Sequence, residues 1–163
     1  MTKPGGVAGS VLGVVHGVGV SANGRGLLIV GASGSGKSAL AIEMIALGAG
    51  LIVDDVVEIK VMNGVPHLAA SGAAIAAVEA RGVGLLRANL VAPAPLKLVI
   101  DLDETEGERL PQPRLWRAFG VEAPLLRRPP RLSPAALFLA LRDGLVDPDV
   151  ALATKAAANE AQA

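Results

Sequence analysis

Apolar positions along this chain fall in short, dense runs broken by glycine, proline and charge, not in long helical stripes. Leu27-Leu28-Ile29-Val30 is wholly apolar, as a strand buried on both faces would be. Ala39 to Leu47 is rich in apolar residues and good helix formers, which predicts a helix packed on a sheet. Gly48 and Gly50 are placed to close it. Leu51-Ile52-Val53 reads as another buried strand, most simply parallel to 27–30 through a right-handed crossover. Upstream, the valine-rich stretch Val11 to Val20 and Asn23-Gly24 predict a hairpin leading into 27–30, with His16 on its first arm. Val57, Ile59 and Val61 alternate with Glu58 and Lys60, and Asn63-Gly64 predicts a second hairpin. Pro66 marks its returning arm as an edge or irregular strand.

Residues 71–78 are small and apolar, compatible with a helical turn or a strand. Leu96 to Leu102 reads as a strand with Lys97 exposed, and 103–117 as a loop or short edge segment. Ser133-Pro134 supplies the cap and first-turn proline of a helix running through Leu137, Phe138 and Leu141 to Gly144. The expectation is one α/β domain over residues 1–163, with flexible tails at 1–10 and from about 149, the second a frayed helix or a disordered segment.

Composition narrows the function. The 15 basic residues balance 15 acidic ones, and aromatics make up only 2%. A nucleic-acid or membrane-surface binder would show a basic excess or stacking platforms, so neither partner is expected. With no cysteine, disulfides and thiolate metal sites are excluded. No uncharged apolar run reaches membrane-spanning length, and no signal peptide is evident. A cytoplasmic enzyme is the expectation.

Between the 27–30 strand and the following helix stands Gly31-Ala32-Ser33-Gly34-Ser35-Gly36-Lys37-Ser38. It fits G-x-x-x-x-G-K-[ST], the phosphate-binding loop of P-loop nucleotide enzymes. The glycines let backbone N–H groups curl around phosphate oxygens, and the helix N-terminus adds its positive end. Lys37 would reach the outer phosphates and Ser38 would offer a hydroxyl to Mg²⁺. Asp54-Asp55 end the 51–53 strand, at the strand end where open α/β sheets bind ligands. Asp54 is the leading base for activating a serine hydroxyl. Two adjacent carboxylates should titrate as a coupled pair. Ser38 with either Glu79 or Asp55 would hold Mg²⁺ against the nucleotide phosphates.

Read together, the valine-rich arm with His16, the 31–38 loop and Asp54-Asp55 resemble the catalytic domain of HPr kinase/phosphorylase. Glu79-Ala80-Arg81-Gly82-Val83-Gly84 is similar to that family's Glu-x-Arg-Gly-x-Gly signature. Glu108-Arg109-Leu110 is similar to a later Asp-Arg-Leu, and Arg128-Pro129-Pro130-Arg131 to an Arg-Pro-Gly-Arg segment. The departures are Ala39 where an acidic residue often follows the loop serine, Pro130 for a glycine and Leu132 for an asparagine. The family's usual N-terminal domain has no counterpart in this sequence, as in short forms.

The resemblance implies a P-loop kinase fold of the HPr kinase and phosphoenolpyruvate carboxykinase type, a mixed sheet with hairpins flanking a strand–loop–helix unit. It implies ATP and Mg²⁺ as cofactors, an HPr-like phosphocarrier as substrate, and a homo-oligomer, a hexamer in the family. The activity implied is serine phosphorylation and its phosphate-dependent reversal. His16 would assist orientation near the acidic pair, while Arg128 and Arg131 would contact phosphoserine or incoming phosphate. The alternatives are a small-metabolite P-loop kinase and a nucleotide-sensing module without turnover.

Overall fold

In the computed structural model, which describes residues 9–162, a nine-stranded mixed sheet is joined by a two-stranded hairpin and three helices. In chain order the elements are β1 (Ser10–His16), β2 (Val18–Ala22), β3 (Arg25–Val30), α1 (Lys37–Ala46), β4 (Gly50–Val53), β5 (Val56–Met62), β6 (Val65–Ala70), β7 (Ala77–Ala80), β8 (Gly84–Arg87), β9 (Ala94–Thr105), β10 (Leu115–Ala118), β11 (Val121–Arg128), α2 (Pro134–Asp143) and α3 (Pro148–Ala161). The main path runs β1-β5-β6-β9-β3-β2-β4, and β11, carrying β10, lies parallel to β9. Among the described residues no helix is long and apolar enough to cross a membrane.

The apolar run at 27–30 is explained by cores on both faces of the sheet. Leu27 and Ile29 point to one side, with Val18, Val20, Leu51 and Ile100, where α1 (Leu40, Met44) and α2 (Leu137, Leu141) cover them. Leu28 points to the other, with Ile52, Val57, Ile59, Leu68 and Val99, covered by Val121 and Ala123 of β11. Truncating one of these buried leucines to alanine would cost about 2–5 kcal/mol. The Ser133 cap forms as expected, its side chain accepting from the Ala136 N–H.

The structure redraws four expectations. The valine-rich arm is broken at Gly17, so the hairpin is β2–β3, while β1, which carries His16, pairs with β5. A Cβ on Gly17 would lie 2.5 Å from the Ile29 carbonyl oxygen, so the chain crosses there where only glycine fits. β4 does not pair with β3: β2 lies between them, antiparallel to each. The two strands still run in the same direction, so the acidic pair ends up at the edge of the sheet where the 31–38 loop begins. β9 continues to Thr105, and 115–128 form a further hairpin. Phe119 at its tip covers Gly13 of β1, where a Cβ would come within 2.4 Å of the ring. Pro66 falls outside the two-residue β6–β9 pairing, so the missing N–H interrupts no bond to β9. The chain from 148 to 161 is helical, with no buried residue. Residues 1–8 lie outside the described part.

Candidate active site

The 31–38 loop leaves the end of β3 and becomes α1. Gly31, Gly34 and Gly36 have φ of 153°, 80° and 99°, conformations that side chains disfavour. Space is limiting only at Gly31, where a Cβ would lie 2.6 Å from Ser35 Oγ. Ser35 Oγ is buried with no hydrogen-bond partner among the described residues. Gly36 caps α1 without a side-chain acceptor, and the first turn holds no acidic residue. Leu40 makes the first bond back, to the Gly36 carbonyl. The N–H groups of Lys37, Ser38 and Ala39 therefore lack helical partners, at the positive end of the helix dipole.

Lys37 Nζ folds over the loop, donating to the carbonyls of Gly31 (2.8 Å) and Ala32 (3.0 Å). Ser38 Oγ donates to Asp54 Oδ1 at 3.3 Å. Half-buried Asp54 has its carboxyl pushed above the usual range, first by burial and then by the charges of Asp55 and Glu79; the Ser38 hydroxyl and the Asp55 N–H act against the shift. Asp55 is exposed, with φ of 78°, and its carbonyl accepts the Gly17 N–H at 3.0 Å. Exposed His16 pairs in register with Val56, directly after the acidic pair. Glu79 is exposed on β7, whose neighbour Val78 is anchored in the core.

Of the expected arginines, Arg128 reaches the loop, Nη1 donating to the Ser35 carbonyl at 3.1 Å. Arg131 is exposed and makes no hydrogen bond or ion pair among the described residues. Arg128 also borders a cavity of about 250 Å³ beside the loop, lined by Ser35, Ala39, Leu40, Leu102 and Leu132. The carboxylate on Ser38 is that of Asp54, not Asp55 or Glu79, the two expected beside it as cation ligands. Among the described residues no three His, Cys, Asp or Glu side chains cluster as a cation site. A cation here would take the Ser38 hydroxyl and one carboxylate, with ligand oxygens and water completing its shell. The donor set fits Mg²⁺, which keeps several waters.

Three acidic residues of this region were not singled out by the sequence. Asp103 Oδ2 accepts the Ala32 N–H at 2.8 Å, and Asp101 Oδ1 accepts the Asp103 N–H at 2.9 Å. Buried Glu106 accepts from the Glu108 N–H and from Arg114, while its own N–H donates to the Arg128 carbonyl. The available signal was an Asp-Leu-Asp ending an apolar strand, at the same edge as Asp54.

Residues 10–109 match the family model described as HPr Serine kinase C-terminal domain. The HPr kinase/phosphorylase of Clostridium botulinum (strain Eklund 17B / Type B) is 42% identical over 72 residues, 44% of this chain and 24% of that protein. That of Nitrosomonas europaea is 36% identical over 115 residues, covering 59% of this chain and 34% of the relative. The chain thus spans only a quarter to a third of these curated relatives. The solved Hpr(Ser) kinase/phosphatase of Coxiella burnetii superposes with a TM-score of 0.66 at 18% identity, over 92% of this chain and 97% of that one. At that identity the superposition bears on the fold, which is the mixed α/β arrangement expected. The family match covers well over half of the sequence, and the chain belongs to the HPr serine kinase C-terminal domain family.

Proposed function

We propose that this chain is an ATP-dependent serine kinase domain that phosphorylates an HPr-like phosphocarrier and catalyses the phosphate-dependent reverse reaction. The observation that carries the reading is the 3.3 Å contact between Ser38 of the glycine loop and Asp54 at the end of β4. It sets a carboxylate with a raised proton affinity beside the loop that would hold the nucleotide phosphates.

The free N–H groups at the start of α1 bind the β-phosphate, and Lys37 swings from the Gly31 and Ala32 carbonyls to the outer phosphates. The partnerless Ser35 hydroxyl gains a phosphate oxygen as acceptor. Ser38 and a carboxylate would hold Mg²⁺, which would supply neutralisation of the phosphate charge. Asp54 accepts the proton of the carrier's serine hydroxyl as its oxygen bonds to the γ-phosphorus and the bond to the β-phosphate oxygen breaks. A carboxyl raised toward the working pH suits that exchange better than an unperturbed one. In reverse, protonated Asp54 returns the proton to the departing serine oxygen while inorganic phosphate attacks. Arg128 steadies the loop and the phosphate; Arg131, three residues on, meets the carrier's phosphate, and His16 orients the acidic pair.

The test is incubation with Mg·ATP and HPr-like carriers, with the phosphate mapped by mass spectrometry. Phosphoserine on a carrier supports the reading. ATP turnover without carrier modification would point instead to a low-molecular-weight acceptor, and ATP binding without turnover to a sensing module.

A further inference from the structure

Gly31 C=O and Ala32 N–H are the two ends of one peptide unit. A trans peptide is planar, so these groups point in opposite directions. The carbonyl accepts from Lys37 Nζ at 2.8 Å, and the N–H donates to Asp103 Oδ2 at 2.8 Å. One peptide plane is therefore held from both sides, by a cation and by an anion. The order of charges, carboxylate, N–H, C=O, ammonium, is the one in which each bond polarises and strengthens the next.

The fold puts Asp103 there for a simple reason. β9 runs parallel to β3, with Asp101 paired to Val30, the last residue before the loop. Two residues further along, β9 stands beside Ala32, and the Asp101 side chain holds the Asp103 N–H at 2.9 Å. Gly31, with φ of 153°, supplies the backbone freedom that aims the peptide at Asp103. On the far side of the loop, Arg128 of β11 donates to the Ser35 carbonyl. The loop is thus tied at an N–H and at a carbonyl by the two strands beyond β3.

We infer that Asp103 is a positioning residue: by holding the Ala32 N–H it fixes the Gly31–Ala32 peptide at the entrance of the glycine loop. It touches no reacting atom. The inference rests on the nucleotide-loop reading proposed above, and it adds a residue from outside the loop that sets the loop's geometry. A carboxylate near a polyphosphate would otherwise be expected to weaken binding by repulsion, so the sign of its effect is diagnostic.

Two variants separate the roles. Asp103→Ala removes the acceptor, whereas Asp103→Asn keeps an oxygen that can accept the Ala32 N–H. Asp103→Ala should weaken Mg·ATP binding about tenfold, the scale of one charge-assisted bond, with the thermal midpoint unchanged; Asp103→Asn should restore most of the loss. The Ala32 amide resonance should shift upfield in Asp103→Ala and stay near its wild-type position in Asp103→Asn. Unchanged or tighter ATP binding in Asp103→Ala would overturn the inference. If wild type itself fails to bind Mg·ATP, the nucleotide reading falls and, with it, the role assigned here. If wild type binds but the Ala32 amide ignores both substitutions, the inference alone falls.

Discussion

Ser38, the last residue of the glycine loop, and Asp54, the first residue beyond β4, meet at 3.3 Å between Oγ and Oδ1. Neither strand that delivers them is bonded to the other, since β2 lies between β3 and β4. The contact depends on β2 holding both strands in the same direction and on α1 carrying Ser38 across. It brings the group expected to hold a cation and the group expected to hold a proton within one hydrogen bond.

Lys37→Ala should abolish most Mg·ATP binding and leave the fold intact. Among the described residues its ammonium hydrogen-bonds to two loop carbonyls, those of Gly31 and Ala32. Calorimetric titration with Mg·ATP, beside an unchanged urea midpoint, checks this; undiminished affinity would remove the phosphate-binding role of the loop.

Gly17→Ala should destabilise the domain by about 1–3 kcal/mol, the range for forcing atoms into a packed site. The new Cβ would face the Ile29 carbonyl oxygen at 2.5 Å, a backbone atom that cannot rotate away. The Gly17 N–H also holds the Asp55 carbonyl, so carrier phosphorylation should fall together with stability. Urea unfolding and a transfer assay read the two effects; a variant as stable as wild type would show that the backbone yields freely there.

The Asn-Gly turns were legible because both residues of each pair adopt positive φ, 52° and 68° at 23–24 and 52° and 76° at 63–64. The turn at 119–120 makes the same geometry from Phe119 and Gly120, φ of 54° and 74°. Phenylalanine gives no warning of a left-handed turn, and the β10–β11 hairpin stayed hidden in a proline-rich stretch. The loop and the acidic pair were readable from local chemistry. Their mutual placement was not, because the insertion of β2 beside β4 is decided by pairing across the sheet. Asp103 was invisible for a related reason: its partner Ala32 is 71 positions away in the chain, and nothing in Asp-Leu-Asp names it.

Glu106 makes a pH-dependent contribution to stability. The Glu108 N–H, and then Arg114, hold its carboxyl below the usual glutamate range. A group whose folded proton affinity is depressed stabilises the fold above its unfolded value, about pH 4.3, and loses that contribution as pH falls through the lower folded value. Glu106→Gln should therefore be less stable than wild type at pH 7, and the gap should narrow as the pH is lowered below about 4. Urea midpoints at the two pH values test this. A gap constant with pH would show that the ionised form has no special role.

The arginines should separate. Arg128→Ala loses the bond to the Ser35 carbonyl and should weaken both nucleotide binding and phosphate-dependent reversal, by about tenfold for a charged hydrogen bond. Arg131→Ala should spare nucleotide binding and reduce only reactions of the phosphorylated carrier. Parallel ATP titrations and dephosphorylation assays distinguish them, and identical behaviour of the two variants would contradict the division.

Whether Asp54 takes the proton from the carrier's serine is decided by one comparison. Single-turnover phosphoryl transfer from Mg·ATP to an HPr-like carrier is measured for wild type and Asp54→Asn, with Mg·ATP affinity measured on the same samples. The amide keeps the shape and an acceptor for Ser38 but cannot hold the proton. ATP affinity should stay within a few fold of wild type, and transfer should slow by about a hundredfold or more. Transfer at the wild-type rate in Asp54→Asn would contradict it.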